Sequence, residues 1–442
     1  MGRFNGKLVV PSLVALTLLL VGGGYAMGRR SINPFRAGAQ EFAADDSTAL
    51  ARRMYNRCGR LSGDSKIDCY SSSLDSLASA GEVKLAMASL ARLATMDVDT
   101  KRDGHVYAHG IGIAAGKRGG DVAKTFSLCD ESNQSGCYHG VIQAYFDAVQ
   151  NIGPKEVNAL CEPFRGPNSD RWLRFQCVHG TGHGLTMIYG HDLPKALAGC
   201  DLLTDDWDRR SCYGGAFMEN IVNVTNPHHP AHGLGQHTSM HMEGMAGMEG
   251  MDHGGKPFKA IDPKDPLYPC SIMADRYLES CYEMQTSIML YLNQGDMAAT
   301  AKTCDKAPGY MKFVCYQSLG RDISSYSLQD HPTAIRMCSL GAKRYQPWCY
   351  IGLVKNLIDL NAKPADGLSL CRELTSPASK VKCYEAVGEQ IATLRNDLPA
   401  RRAECSSSEP TYLDTCLFGA RVISDVPPLL KEVNRDAYGG SG

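Results

Sequence analysis

The sequence predicts an all-α chain, built as an array of helical hairpins of about 34 residues, each stapled by a local disulfide. Three observations lead there. The 18 cysteines fall into nine successive pairs. Cys58 goes with Cys69, Cys129 with Cys137, Cys161 with Cys177, Cys200 with Cys212 and Cys270 with Cys281. Cys304 then goes with Cys315, Cys338 with Cys349, Cys371 with Cys383 and Cys405 with Cys416. The second cysteine is usually followed by Tyr, a variable residue and a small one, as in CYHG at 137, CYGG at 212 and CYIG at 349. From Cys281 the second cysteines recur at 315, 349, 383 and 416, the period of a helix–turn–helix repeat.

The N-terminus comes first. Arg3 and Lys7 precede an apolar run over residues 8–26, and Arg29 and Arg30 follow it. Residues 1–30 read either as a signal peptide cleaved after Ala26 or as an uncleaved membrane anchor. Both readings export the rest of the chain to the periplasm or the cell exterior, where disulfides persist. Absence of any CxxC pair argues against zinc ribbons and thioredoxin-like chemistry. With 46 basic and 47 acidic residues well mixed, no basic field points to nucleic acid. The motifs of P-loop, GxSxG, HExxH and CxxCH proteins are also missing.

The hairpins occupy residues 45–222 and 266–430, with an insertion over 223–265. Within the stretch from Gly295 to Tyr326, apolar residues recur at helical spacing up to Cys304, and a second amphipathic segment starts near Tyr310. Each disulfide then joins the end of one helix to the start of the next. The small residue three places after each second cysteine lets helices approach closely. Residues 82–118 read as a hairpin without cysteines, with Tyr107 standing where the second cysteine belongs.

Period and cysteine placement over roughly residues 45–430 resemble the cysteine-rich secreted branch of Sel1-like repeats, within the tetratricopeptide-like class. YQSLG at 316–320 and YIGL at 350–353 carry part of that pattern. The resemblance implies a right-handed α/α superhelix that displays a surface to a protein partner; it implies no activity.

Two places after the second cysteine, or its counterpart, stand His109, His139 and His179, then Gly214, Glu283, Gln317, Ile351, Glu385 and Phe418. His105 and His183 lie one helical turn from His109 and His179, on the same faces. Five histidines at matched positions predict a shared metal site of His105, His109, His139, His179 and His183, with Glu219 as a carboxylate ligand or base. The plainer reading makes them polar histidines capping local hydrogen bonds. Neutral imidazole suits Zn, Cu, Fe and Ni without choosing among them. Among the nearby glycines, Gly180 fits the small position of the repeat; Gly182 and Gly184 are expected to clear space for a ligand or a neighbouring helix.

The insertion carries His228, His229, His232, His237, His241 and His253 among Met240, Met242, Met245, Met248 and Met251. It has almost nothing to anchor a core, so a mobile loop is expected. Thioethers prefer Cu(I), and imidazoles accept Cu(II). The string MHMEGMAGMEGMDHGG resembles the Met/His-rich loops of exported copper-resistance proteins and multicopper oxidases. That likeness implies copper capture, against the alternative of a polar linker.

The leading expectation is therefore an exported protein that binds or traffics a transition metal, copper first, with zinc or iron as alternatives. A His-ligated oxidase or hydrolase using Glu219 or His191 as acid or base is a second reading. A metal-free interaction scaffold is a third. Whether the chain turns over a substrate is left open by the sequence.

Overall fold

The computed structural model describes residues 47–149, 152–166, 169–225, 258–360 and 362–438. The apolar run 8–26 and the Met/His-rich stretch from His228 to His253 lie outside them. Among the described residues the secondary structure is helical throughout, without strands, and no helix is long and apolar enough to cross a membrane.

Most hairpins have a short outer helix and a longer inner one. The start of the outer helix is written locally: Asp192, Asp330 and Asp397 cap its first turn by accepting backbone N–H bonds, and Pro194, Pro332 and Pro399 occupy its first positions. Several outer helices end on or beside their cysteine, as in His331–Cys338 and Leu398–Cys405.

All nine expected disulfides form, with the pairing read from the sequence, and no cysteine is free. In the N-terminal half Cys58 bonds Cys69, Cys129 bonds Cys137, Cys161 bonds Cys177 and Cys200 bonds Cys212. In the C-terminal half Cys270 bonds Cys281, Cys304 bonds Cys315 and Cys338 bonds Cys349. Cys371 bonds Cys383 and Cys405 bonds Cys416 to complete the series. Each bridge joins neighbouring segments, so it closes only a short loop of chain.

The inner helices are labelled here in chain order: α1 (Gly63–Ser79), α2 (Gly104–Gly116), α3 (Gly136–Ala148), α4 (Arg171–Ile188), α5 (Asp206–Thr225), α6 (Asp275–Tyr282), α7 (Gln285–Leu292), α8 (Met311–Tyr326), α9 (Gln346–Asp359), α10 (Pro377–Leu394) and α11 (Leu413–Gly419). The Tyr beside the second cysteine is buried in hairpin after hairpin and needs a partner for its hydroxyl. It finds one next to the first cysteine: Tyr316 donates to Asp305 at 3.0 Å, and Tyr213 donates to Asp201. Disulfide and tyrosine together fix the hairpin angle.

Consecutive inner helices then associate in pairs through reciprocal glycines. In α4/α5, a Cβ on Gly182 would stand 2.0 Å from the Cys212 carbonyl oxygen, and one on Gly215 would stand 1.9 Å from that of His179. The same exchange joins α2/α3 through Gly112 and Gly140, α8/α9 through Gly320 and Gly352, and α10/α11 through Gly388 and Gly419. The first glycine falls five places after the second cysteine (Tyr107 in α2) and its partner falls three places after, so the packing unit is two hairpins. Of the two expectations for Gly182, the neighbouring helix is the one that requires it, not room for a ligand. Gly184 likewise faces the Phe146 ring, 2.2 Å from where its Cβ would be.

From Ser47 onward the chain clusters as one compact unit. The array curls so that the hairpins of its third and fourth inner helices meet the C-terminal ones: Gln134 Nε2 donates to Asn356 Oδ1 at 2.9 Å, and the Arg171 amide donates to Asn396 Oδ1 at 3.2 Å. The inner helices thereby enclose a central cavity.

One strain in this packing is testable. Asp75 on α1 abuts Gly110 of α2, and its Oδ1 is buried without a partner. Burial pushes its carboxyl up from 3.8 to about 6, only partly opposed by Lys117. The native state thus holds the proton more tightly than the unfolded chain, so stability falls as pH rises from about 4 through 6. Asp75→Asn should remove that slope and be more stable than wild type above pH 6 by about 2 kcal/mol, with no gain at pH 4. Urea unfolding at several pH values measures both; identical slopes would reject the assignment.

Candidate metal centre

The reciprocal glycines draw α2 to α3 and α4 to α5, and α3 packs against α4, so the imidazoles of three helices converge. His105 and His109 lie one turn apart on α2, with ring centres 6.1 Å apart. His139 comes from α3, and His179 and His183 from α4. The His139 ring centre is 5.2 Å from that of His179, 4.8 Å from that of His183 and 5.6 Å from that of His105. His109 reaches His183 at 6.4 Å. Glu219 of α5 closes the cluster, its Oε2 2.9 Å from His183 Nδ1. His191, on the turn after α4 at φ 63°, places Nε2 3.7 Å from Glu219 Oε1. All six residues singled out in the sequence are therefore brought together.

Three of them have metal-binding spacing. His139, His179 and His183 are buried and each offers a nitrogen, the three lying within 4.8 Å of one another. Their other nitrogens face acceptors. His179 Nδ1 donates to the Ser211 carbonyl at 3.2 Å, His183 Nδ1 to the Glu219 carboxylate, and His139 Nε2 to Gln176 Oε1 at 3.0 Å. Those bonds fix the tautomers and leave lone pairs on His139 Nδ1, His179 Nε2 and His183 Nε2. Of these, His139 Nδ1 and His183 Nε2 are buried with no hydrogen-bond partner. Two such nitrogens side by side are costly unless something binds them.

Electrostatics favours neutral, ligating rings. Burial, aided by the neighbouring imidazoles, holds His139 well below its ordinary value. Burial lowers His179 to about 3 and His105 to about 4. Glu219 behaves oppositely: burial works against its charge, but the hydrogen bond from His183 and the nearby His191 imidazole prevail and hold its carboxyl well below the usual range. Among the described residues this carboxylate, 4% exposed, has only histidines as ion-pair partners. A cation on His183 Nε2 would supply a positive counter-charge.

The cluster borders the central cavity, of about 660 Å³. His105, His139 and His179 line one side, beside Trp172, Phe175 and Trp207; Glu283, Gln317, Arg321 and Lys355 line it from the C-terminal half. His139, His179, Gly214, Glu283 and Gln317 all stand two places after a second cysteine, the column of each inner helix that faces this cavity. One turn further on, six places after the cysteine, lie His183, Arg321 and Lys355. That second column was present in the sequence as an i, i+4 stripe, and reading it would have placed Arg321 and Lys355 on the cavity. Gln176 and the Ser211 carbonyl left no such signal.

Compared with known proteins, the chain matches no family model, no curated protein and no solved structure.

Proposed function

We propose that this chain binds one transition-metal ion on His139, His179 and His183, with Glu219 orienting His183 from behind and the central cavity giving access. The observation that carries the reading is the tautomer pattern: three buried imidazoles each donate from one nitrogen and keep a lone pair on the other. Copper is the ion we assign first, because the same chain holds the soft Met/His stretch 228–253; three neutral imidazoles alone suit zinc or iron equally. The compartment fits, since nine disulfides belong to an oxidising space outside the cytoplasm. A catalytic reading draws on the cavity: a three-histidine ion keeps a position open to a bound molecule, and Glu219 with His191 can hold a proton nearby.

Metal content by mass spectrometry on natively exported, untagged protein tests this. Wild type and a deletion of residues 228–253 should each retain about one equivalent of metal, and His139→Ala/His179→Ala should retain none. The metal found decides copper against zinc or iron. Wild type that holds no metal after loading, or a double variant that holds as much as wild type, overturns the proposal.

A further inference from the structure

A second cavity, of about 650 Å³, lies at the seam where the N-terminal half of the array meets the last hairpins. Arg171 and Arg421 line it, together with Trp207, Phe418, Thr393 and Glu389. Arg171 opens α4; its guanidinium lies 4.9 Å from the centre of the Trp207 ring, and its Nε is buried without a hydrogen-bond partner. Its neighbour Arg174 is committed to Asp205 and Asp208, but among the described residues neither Arg171 nor Arg421 forms an ion pair. Arg401 is buried nearby, its guanidinium donating to the carbonyls of Arg395 and Ala420. The carboxylate on these walls, Glu389, is already 2.6 Å from Lys355.

Exposed Arg421 and half-buried Arg171 thus line one cavity with a single, engaged carboxylate, and buried Arg401 lies close by. Their mutual repulsion shows: burial, then Arg421, lowers the pKa of both Arg171 and Arg401. An oxyanion relieves it, and guanidinium forks match the oxygens of phosphate and carboxylate. Trp207 and Phe418 add apolar surface beside the charge.

We propose that this cavity is an oxyanion site, in which Arg171 and Arg421 grip the phosphate or carboxylate group of a small molecule. It is distinct from the histidine cluster but adjoins the central cavity, because Trp207 lines both and the Lys355–Glu389 pair joins their walls.

Calorimetric titration at low ionic strength tests it, with inorganic phosphate as one probe and acetate as the other. The variants are Arg171→Ala and Arg421→Asn, the latter because Asn tolerates the φ of 56° at that position. Exposed Arg92→Ala is the control, and His139→Ala/His179→Ala separates this site from an anion resting on the metal. Saturable binding of at least one anion is expected, weakened about tenfold or more by either arginine change and unaltered by the other two variants. Which probe binds tells phosphate from carboxylate. If Arg171→Ala does not fold, the folded Arg421→Asn protein decides alone. No saturable binding of either anion, wild-type affinity in the arginine variants, or loss of binding in the histidine variant overturns the assignment.

Discussion

Glu219→Gln should weaken metal binding about 10- to 100-fold without unfolding the protein, whereas His183→Ala should abolish binding and destabilise the fold. Glutamine keeps an oxygen to accept the His183 Nδ1 proton, so the tautomer survives, but it removes the buried negative charge behind the ring. The alanine change does more. It removes a ring lone pair and strips Glu219 of its 2.9 Å partner, leaving the carboxylate buried with His191 at 3.7 Å. Removing one partner of a buried ion pair costs about 3–5 kcal/mol. The combination Glu219→Gln/His183→Ala should recover most of that loss, because no charge is then stranded, yet it should still bind no metal. Urea unfolding of metal-free protein reads the stability arm of this cycle, and competition with a chelator reads the affinity arm. Additive losses in the double variant would mean that Glu219 is not ionised in the fold; unchanged affinity in Glu219→Gln would remove it from the centre.

The fold and the site were unequally legible in the sequence. The hairpins, all nine disulfides and the convergence of six residues follow from a one-dimensional pattern, because a repeat array places matched positions in register. His139 and His179 share one column of the inner helices, and a column is readable wherever the period is. What the period does not encode is closure. Gln134 meets Asn356 across 222 residues, and Arg171 meets Asn396 across 225, so neither contact has a local signature. The second cavity, and the placing of Arg321 and Lys355 on the same cavity as the histidines, depend on that closure. The tautomers depend on acceptors such as the Ser211 carbonyl, which any residue type would provide.

Gly180→Ala should be nearly neutral and Gly182→Ala severely destabilising, the reverse of what the repeat pattern alone suggests. Gly180 recurs as the small residue three places after a second cysteine, so it looks obligatory. In the fold, though, a Cβ there meets only side-chain carbons closely, Ile142 Cγ1 at 3.0 Å and Cβ at 3.3 Å, and α3 need give by only a few tenths of an ångström. Alanine also gains up to about 1 kcal/mol of helix propensity over glycine, which offsets the adjustment. At Gly182 the added carbon would stand 2.0 Å from the Cys212 carbonyl oxygen and 2.6 Å from the Ala216 amide nitrogen. Backbone cannot yield without parting α4 from α5, so the loss should be about 3 kcal/mol or more. The parting has a chemical consequence as well, since His183 is on α4 and Glu219 on α5. Metal affinity should therefore fall in Gly182→Ala and hold in Gly180→Ala. Urea midpoints and chelator competition on the two variants distinguish the roles of these glycines. Equal stability would mean that α4 and α5 do not touch at Gly182. A stability loss with affinity intact would place the metal centre on α3 and α4 alone, with Glu219 outside it.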